Sequence, residues 1–321
     1  MTTDTATQTD TAADGNSQQP ATPIDFATSA GERLHPSAAK LLDASDRERA
    51  CKIIQDHTIL YPALQQVVAE AEWMVYEPRQ TRARGRIICA DRGNGKTSLA
   101  DLIHARFHDY DRSDVPCVLR ISMTGMHDAR SVYGRIMEEL GSPARISHRL
   151  SDRELLVQRL LRSVDCRLLI LDEVQDILQG NEREQLRALQ AIKLLMNELH
   201  LPIMAFGTET AGRGFTGDPH LAARFSEYRM PSWKADNTLA NFLCTYERLL
   251  PLKKPSDLAS PDKLAVLAKV GGGILGRIVT RVQNAALAAI VDGTECITKE
   301  HLLKAELRPG VCLMTKKDEG Q

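Results

Sequence analysis

The run Ala90-Asp-Arg-Gly-Asn-Gly-Lys-Thr-Ser98 combines two glycines, a lysine and two hydroxyls at the spacing of a phosphate-binding P-loop. Glycines let backbone N–H groups curl round phosphate oxygens, and a helix starting immediately afterwards points its positive end at the same charge. Lys96 is suited to reach the β- and γ-phosphates of ATP, and Thr97 to offer a hydroxyl to Mg²⁺. Arg92, Gly93, Asn94, Gly95 and Ser98 complete the expected nucleotide lining. One departure stands out: Ala90 occupies the first glycine position of G-x-x-x-x-G-K-[ST]. A second motif, Leu168-Leu-Ile-Leu-Asp172-Glu173, is an apolar strand ending in two carboxylates. Asp172 is the expected Mg²⁺ ligand, and Glu173 the residue that orients and polarises an attacking water. Phosphoryl transfer to water needs mainly positioning and charge neutralisation, so a lysine, a metal and an ordered water supply much of it.

Such residues must be carried on strand ends and helix starts, and the surrounding pattern provides them. Strand candidates at 87–90, 117–121, 168–171, 203–206 and 227–230 are separated by stretches long enough for crossover helices. That alternation predicts an α/β fold, a parallel sheet flanked by helices, followed by a small all-helical lid. The lid follows from helical periodicity at 237–250, 261–270, 276–291 and 299–307, with Ser260-Pro261 and Thr298 as helix starts. Gly271-Gly-Gly273 follows a helix and lacks Lys-Thr, so it reads as a turn. A helix is also expected from Glu182 to about His200, and two or three more between Pro36 and Tyr76. The resulting division is a disordered tail (1–33), an N-terminal helical segment (34–78), a P-loop core (79–235), a helical lid (236–308) and a C-terminal tail (309–321). The first tail reads as a solvated leader or a docking segment. Between helices and core, the arginine-rich run 79–86 reads as a solvated linker or a phosphate contact.

Composition narrows the class. The 321 residues carry a formal net charge of −1, so bulk attraction to nucleic acid is excluded and any such contact needs a local patch. The seven cysteines are scattered and form no zinc spacing, and they read as reduced thiols in a cytoplasmic protein. The sequence starts without a signal-peptide pattern, and no apolar run approaches the roughly 18–20 residues of a membrane span.

These motifs resemble those of AAA+ ATPases, and more closely the TniB/TnsC/MuB-like transposition ATPases, TniB in particular. The likeness covers about residues 45–308 and includes Arg47-Glu-Arg-Ala-Cys-Lys-Ile-Ile54, Gly93-Asn-Gly-Lys-Thr97, Leu171-Asp-Glu-Val-Gln175 and Leu201-Pro-Ile-Met-Ala-Phe-Gly-Thr208. The resemblance implies that Thr208 is a sensor-1 residue reading the γ-phosphate or the water, the alternative being a strand-capping threonine. It implies that Arg224 is an arginine finger for a neighbouring subunit, with a surface ion pair as the alternative and Arg213 and Arg229 as rivals. Arg277 is similar to a sensor-2 arginine, against a solvated arginine at a helix start, where positive charge opposes the dipole.

The resemblance further implies a homo-oligomeric ring or filament on double-stranded DNA, bound without sequence preference. A DDE transposase is the implied partner, with a TniQ-like target-selection protein beside it. Arg120, Arg130 and Arg135 are candidates for the DNA side, or plain surface helix charges. A competing reading is an ATP-gated assembly platform for secretion or signalling that binds no DNA. A small-molecule kinase is disfavoured by the adjacent Asp172 and Glu173.

Overall fold

The computed structural model describes residues 24–25, 33–107, 117–142, 149–305 and 308. The N-terminal region runs β1 (Ile24–Asp25), α1 (Pro36–Ala39), α2 (Asp46–Ile54), β2 (Ile59–Leu60) and α3 (Pro62–Tyr76). The core opens with β3 (Gly85–Cys89), α4 (Lys96–Phe107), β4 (Cys117–Ser122), α5 (Ala129–Glu139) and α6 (Leu150–Ser163). It continues with β5 (Cys166–Asp172), a tight 3-10 turn over Val174–Gln179, α7 (Glu182–Leu199) and β6 (Ile203–Gly207). Helices α8 (Glu209–Gly217) and α9 (Pro219–Ala222) lead to β7 (Phe225–Arg229). The remainder is helical: α10 (Asn237–Glu247), α11 (Pro261–Gly271), α12 (Leu275–Val291) and α13 (Lys299–Lys304).

Strands β3 to β7 form one parallel sheet in the order β4-β5-β6-β3-β7. Alternation along each strand sends side chains to opposite faces. Ile88, Val118, Leu168, Ile170, Met204 and Phe206 pack with α3, α4 and the C-terminal helices on one side. On the other, Ile87, Leu119, Leu169, Leu171, Ile203 and Ala205 meet α5 to α8. With both faces covered, β3 to β6 read as largely apolar runs, whereas β7, Phe-Ser-Glu-Tyr-Arg at the edge of the sheet, does not.

Helix ends follow local chemistry. Asn181 accepts from the Glu184 N–H at 3.0 Å while the Glu184 carboxylate accepts from the Asn181 N–H, a reciprocal cap that starts α7. Thr298 caps α13 through the His301 N–H as expected. Ser260 departs from expectation: it precedes Pro261 at the start of α11, but its hydroxyl makes no cap bond. Gly272, at φ +55°, ends α11 with its N–H on Ala268 O at 3.1 Å.

Three sequence expectations change. Within the stretch read as a tail, Ile24–Asp25 pairs in parallel with Ile59–Leu60. The rest of that tail and the C-terminal tail lie outside the described residues, as does the end of the last helix. The arginine run 79–86 stays exposed at Arg79, Arg82 and Arg84, yet its side chains also contact carbonyls and carboxylates of this chain. Arg79 bonds Leu199 O at 3.0 Å and Asp165 at 2.6 Å, Arg82 bonds Ala223 O at 2.6 Å, and Arg86 bonds Glu70. Finally, Arg120 lies on strand β4 and not on a surface helix.

The N-terminal region straps the two parts of the molecule together. Helix α3 packs on α4 and β5, whereas α2 packs on α12. Arg49, 1% exposed, donates to Pro251 O at 3.0 Å and to Glu295 at 2.9 Å. A buried guanidinium is tolerated only when its donors are met, and this one is tied to the C-terminal helical part.

Candidate nucleotide-binding site

The loop after β3 turns back into α4 through two residues in the left-handed region, Gly93 at φ +84° and Gly95 at φ +78°. A side chain is strained there, which is what those glycines are for. Ala90 needs no such freedom: its N–H donates to Gly207 O at 3.1 Å as a continuation of the strand ladder, and it is not among the positive-φ residues. The departure from the motif's first glycine therefore introduces no left-handed backbone strain.

Lys96 opens α4 and is 4% exposed. Its Nζ donates to Ala90 O at 2.9 Å and Asp91 O at 3.0 Å. Burial pulls its pKa below the ordinary lysine value, while the charges of Glu173, Asp172 and Asp91 oppose that fall. The two carboxylates at the end of β5 thus favour the charged form of the P-loop lysine. Arg92, Thr97 and Ser98 are exposed on the loop and the first turn.

Asp172 is 1% exposed, with Oδ1 accepting from the Glu173 N–H at 2.9 Å and Oδ2 from Arg120 Nη2 at 3.0 Å. Arg120 also pairs with Asp101 of α4, Nε to Oδ1 3.1 Å. Read from sequence as a candidate DNA contact, Arg120 is instead a counter-ion inside this site. One signal could have located it: a charge inside an otherwise apolar strand must find a partner. Register supplies one, since Ser122, two residues on, lies opposite Asp172.

Glu173 adopts φ 55°, ψ 39°, a conformation that non-glycine residues visit rarely and that clusters at functional sites. Its carboxylate accepts from Gln175 Nε2. Thr208, just past β6, bonds Thr210 Oγ1 through its hydroxyl at 2.8 Å and donates its N–H to Gln175 Oε1 at 3.3 Å. It stands at the start of α8 without a side-chain cap bond. Because Cys89 pairs with Gly207, and Leu171 with Ala205, the ends of β3, β5 and β6 are level and bring Ala90–Lys96, Asp172–Glu173 and Thr208 together.

Asn94 behaves differently from a phosphate-lining side chain. It is 4% exposed, and its Oδ1 accepts from the Leu275 N–H at 2.8 Å, while Gly93 O accepts from the Gly276 N–H at 2.9 Å. These are the first two N–H groups of α12, whose own N-cap, Ile274, offers no side-chain acceptor. The P-loop itself satisfies donors that a helix start otherwise leaves open. Arg277 follows directly, exposed, with its guanidinium beside Gly272. A Cβ on Gly276 would stand 2.9 Å from Gly93 O. Gly276→Ala is therefore expected to force this contact apart, costing about 1–3 kcal/mol in packing. Titration with a fluorescent ATP analogue should show affinity weakened roughly tenfold, and unaltered affinity would separate this contact from the nucleotide site.

Arg224 is not part of this cluster. Strand β7 is parallel to β3, with Phe225 opposite Gly85 and Arg229 opposite Cys89. Arg224 thus lies at the amino-terminal edge of the sheet, whereas the P-loop leaves its carboxyl-terminal edge. Its carbonyl accepts from Gly85 N–H at 2.9 Å, and its Nη1 is buried without a hydrogen bond among the described residues. Of the rivals, Arg229 is paired with Glu227 at 2.6 Å, and Arg213 is exposed on α8.

The donors suit the expected ligands. Among the described residues no group of three or more His, Cys, Asp or Glu forms a metal cage. Mg²⁺ does not require one: it commonly takes one or two protein oxygens plus substrate phosphates and water, which Thr97 and Asp172 match in type. Among the same residues, no helix is long and apolar enough to cross a membrane.

A model of the bacterial TniB protein family matches residues 49–235, more than half of the chain. No curated protein matches it. Among solved structures it is similar to the ORC1 protein of Aeropyrum pernix in complex with DNA, at 16% identity and TM-score 0.60, covering 80% of this chain and 68% of that one. The ORC2 protein of the same organism, in ADPNP–ADP complexes, aligns at 17% identity and TM-score 0.57, covering 75% of this chain and 66% of that one. Drosophila ORC bound to DNA aligns at 14% identity and TM-score 0.56, covering 87% of this chain and 68% of that one. These likenesses establish a shared fold, and the chain spans about two thirds of their length.

Proposed function

Since the chain belongs to the bacterial TniB family, we propose that it is an ATP-hydrolysing, DNA-binding AAA+ regulator of transposition that assembles as an oligomer on target DNA. The observation that carries the catalytic half is the meeting of Lys96, Asp172, Glu173 and Thr208 at level strand ends. In this reading the P-loop amides and Lys96 hold the triphosphate, and Glu173 takes a proton from water as its oxygen bonds the γ-phosphorus. The bond from that phosphorus to the β,γ-bridging oxygen breaks, and ADP leaves with the electron pair. Mg²⁺, when bound through Thr97 and Asp172, supplies charge neutralisation on the phosphates. Thr208 senses the γ-phosphate end, and Arg277 approaches from the lid.

Arg224 lies at the edge of the sheet remote from its own P-loop, so as a finger it serves a neighbouring subunit. Phosphate chemistry in such sites depends on a cation delivered at the transition state. Assembly is then a condition of turnover.

The DNA half rests on the family and on a groove of about 850 Å³ lined by Arg130, Arg135, Arg153, Ser131 and Ser142, with Glu138 at its side. Two of the similar solved structures are described as DNA complexes. Contacts of this kind are made to backbone phosphates and weaken steeply with salt. A DDE transposase and a TniQ-like protein are the proposed partners.

The test is binding to duplex DNA in ATP, a slowly hydrolysed analogue, ADP or no nucleotide, with assembly size scored alongside. Large DNA-bound assemblies are expected in ATP and the analogue, with affinity falling at least tenfold between 50 and 200 mM salt if several phosphates are contacted. ATP turnover without DNA binding in any nucleotide state would favour an assembly platform for secretion or signalling.

A further inference from the structure

Gln175 carries no role in the mechanism above, yet both ends of its carboxamide are committed to it. The residue is 6% exposed in the turn after β5. Nε2 donates to Glu173 Oε2, and Oε1 accepts from the Thr208 N–H at 3.3 Å. The partners fix the amide's orientation: a carboxylate can only accept, and a backbone N–H can only donate. Room for it comes from Gly207, where an added Cβ would stand 3.2 Å from Gln175 Oε1 and 3.0 Å from Val174 Cγ2.

The chemistry of the side chain matters as much as its place. An ionised glutamate at 175 would accept from Thr208 but could not donate to Glu173, and an alanine would do neither. A neutral carboxamide meets both demands without adding a charge beside Lys96. A donor to an ionised partner is also among the stronger hydrogen bonds.

We propose that Gln175 is a positioning residue for ATP hydrolysis, joining the Glu173 carboxylate to the Thr208 backbone so that water activation and γ-phosphate sensing share one frame. It acts through Glu173 and does not touch the substrate. This rests on the ATPase reading of the site given above.

The test measures turnover and fluorescent-ATP-analogue affinity for the full chain with duplex DNA present. Gln175→Ala should lower kcat about tenfold with nucleotide affinity changed less than twofold. Gln175→Glu retains the Thr208 acceptor, guards against a folding defect, and should lose at least as much. In a Glu173→Gln background neither change should cost anything further, because the group they position is already gone. A merely structural role would instead weaken nucleotide binding or add its loss to that of Glu173→Gln, and either result overturns the proposal. Turnover left intact in Gln175→Glu overturns it alone, whereas an unaltered protein without ATP turnover overturns the ATPase reading beneath it.

Discussion

Glu173→Gln is expected to lower ATP turnover by about 10²–10⁴-fold, the range for loss of a positioned general base, while leaving nucleotide binding intact. Glutamine keeps the size of the side chain, so the backbone at φ 55° and the contact with Gln175 are asked to change little. It cannot take the proton of the attacking water. The phosphate-binding parts, the glycine loop and Lys96, are separate from Glu173 along the chain and remain whole. Single-turnover hydrolysis and analogue binding measured on the same preparation check this. The variant should persist in its ATP-bound assembly on DNA, since only the step that empties the site is removed. Turnover within tenfold of the unaltered protein would transfer the base role elsewhere.

The second large effect is expected at Arg224. Arg224→Ala should reduce turnover by roughly 10³-fold or more, the range for arginine fingers, in a protein that still binds ATP. Mixing separates a finger from a buried structural arginine. Glu173→Gln protein binds ATP and assembles without hydrolysing it but carries an intact Arg224, whereas Arg224→Ala protein is the converse. Each alone should be inactive. An equimolar mixture should regain about one quarter of the turnover, because one interface in four joins an intact site to an intact finger when a head-to-tail contact is filled at random. A mixture as inactive as its parts assigns Arg224 to the fold of its own subunit, where it follows α9 and precedes β7.

What the sequence made legible was whatever is encoded locally. Four strands, β3 to β6, announce themselves as largely apolar runs, and the P-loop is a continuous string whose glycines answer to its own backbone. The same is true of the cap at Thr298 and the turn at Gly272. The fold class followed from such signals with little loss.

Side-chain traffic between distant segments was not legible. Arg120 and Asp172 are 52 positions apart and meet only because β4 and β5 are neighbours in register. Asn94 sits inside a motif whose wording suggests phosphate, yet its side chain turns to a helix start 181 positions away. The arginines of residues 79–86 looked like a free basic run because sequence displays charge and hides its partners. Ile24–Asp25 was missed for a related reason: its strand partner, Ile59–Leu60, is itself only two residues long and carries no period.

The opposed positions of P-loop and Arg224 along the parallel pair β3 and β7 also give any open row of subunits a built-in direction. With Arg224 as finger, each site borrows from one side only, so a row has one terminal member whose pocket no neighbour completes. Turnover per subunit then rises with length as (n−1)/n, and the shortest rows suffer most. The opposite terminal member presents an arginine that nothing uses. A factor docking on that spare arginine would arrest elongation at a single tip, while one seated at the unfinished pocket would govern the other, so a row of identical subunits offers two chemically different handles for control.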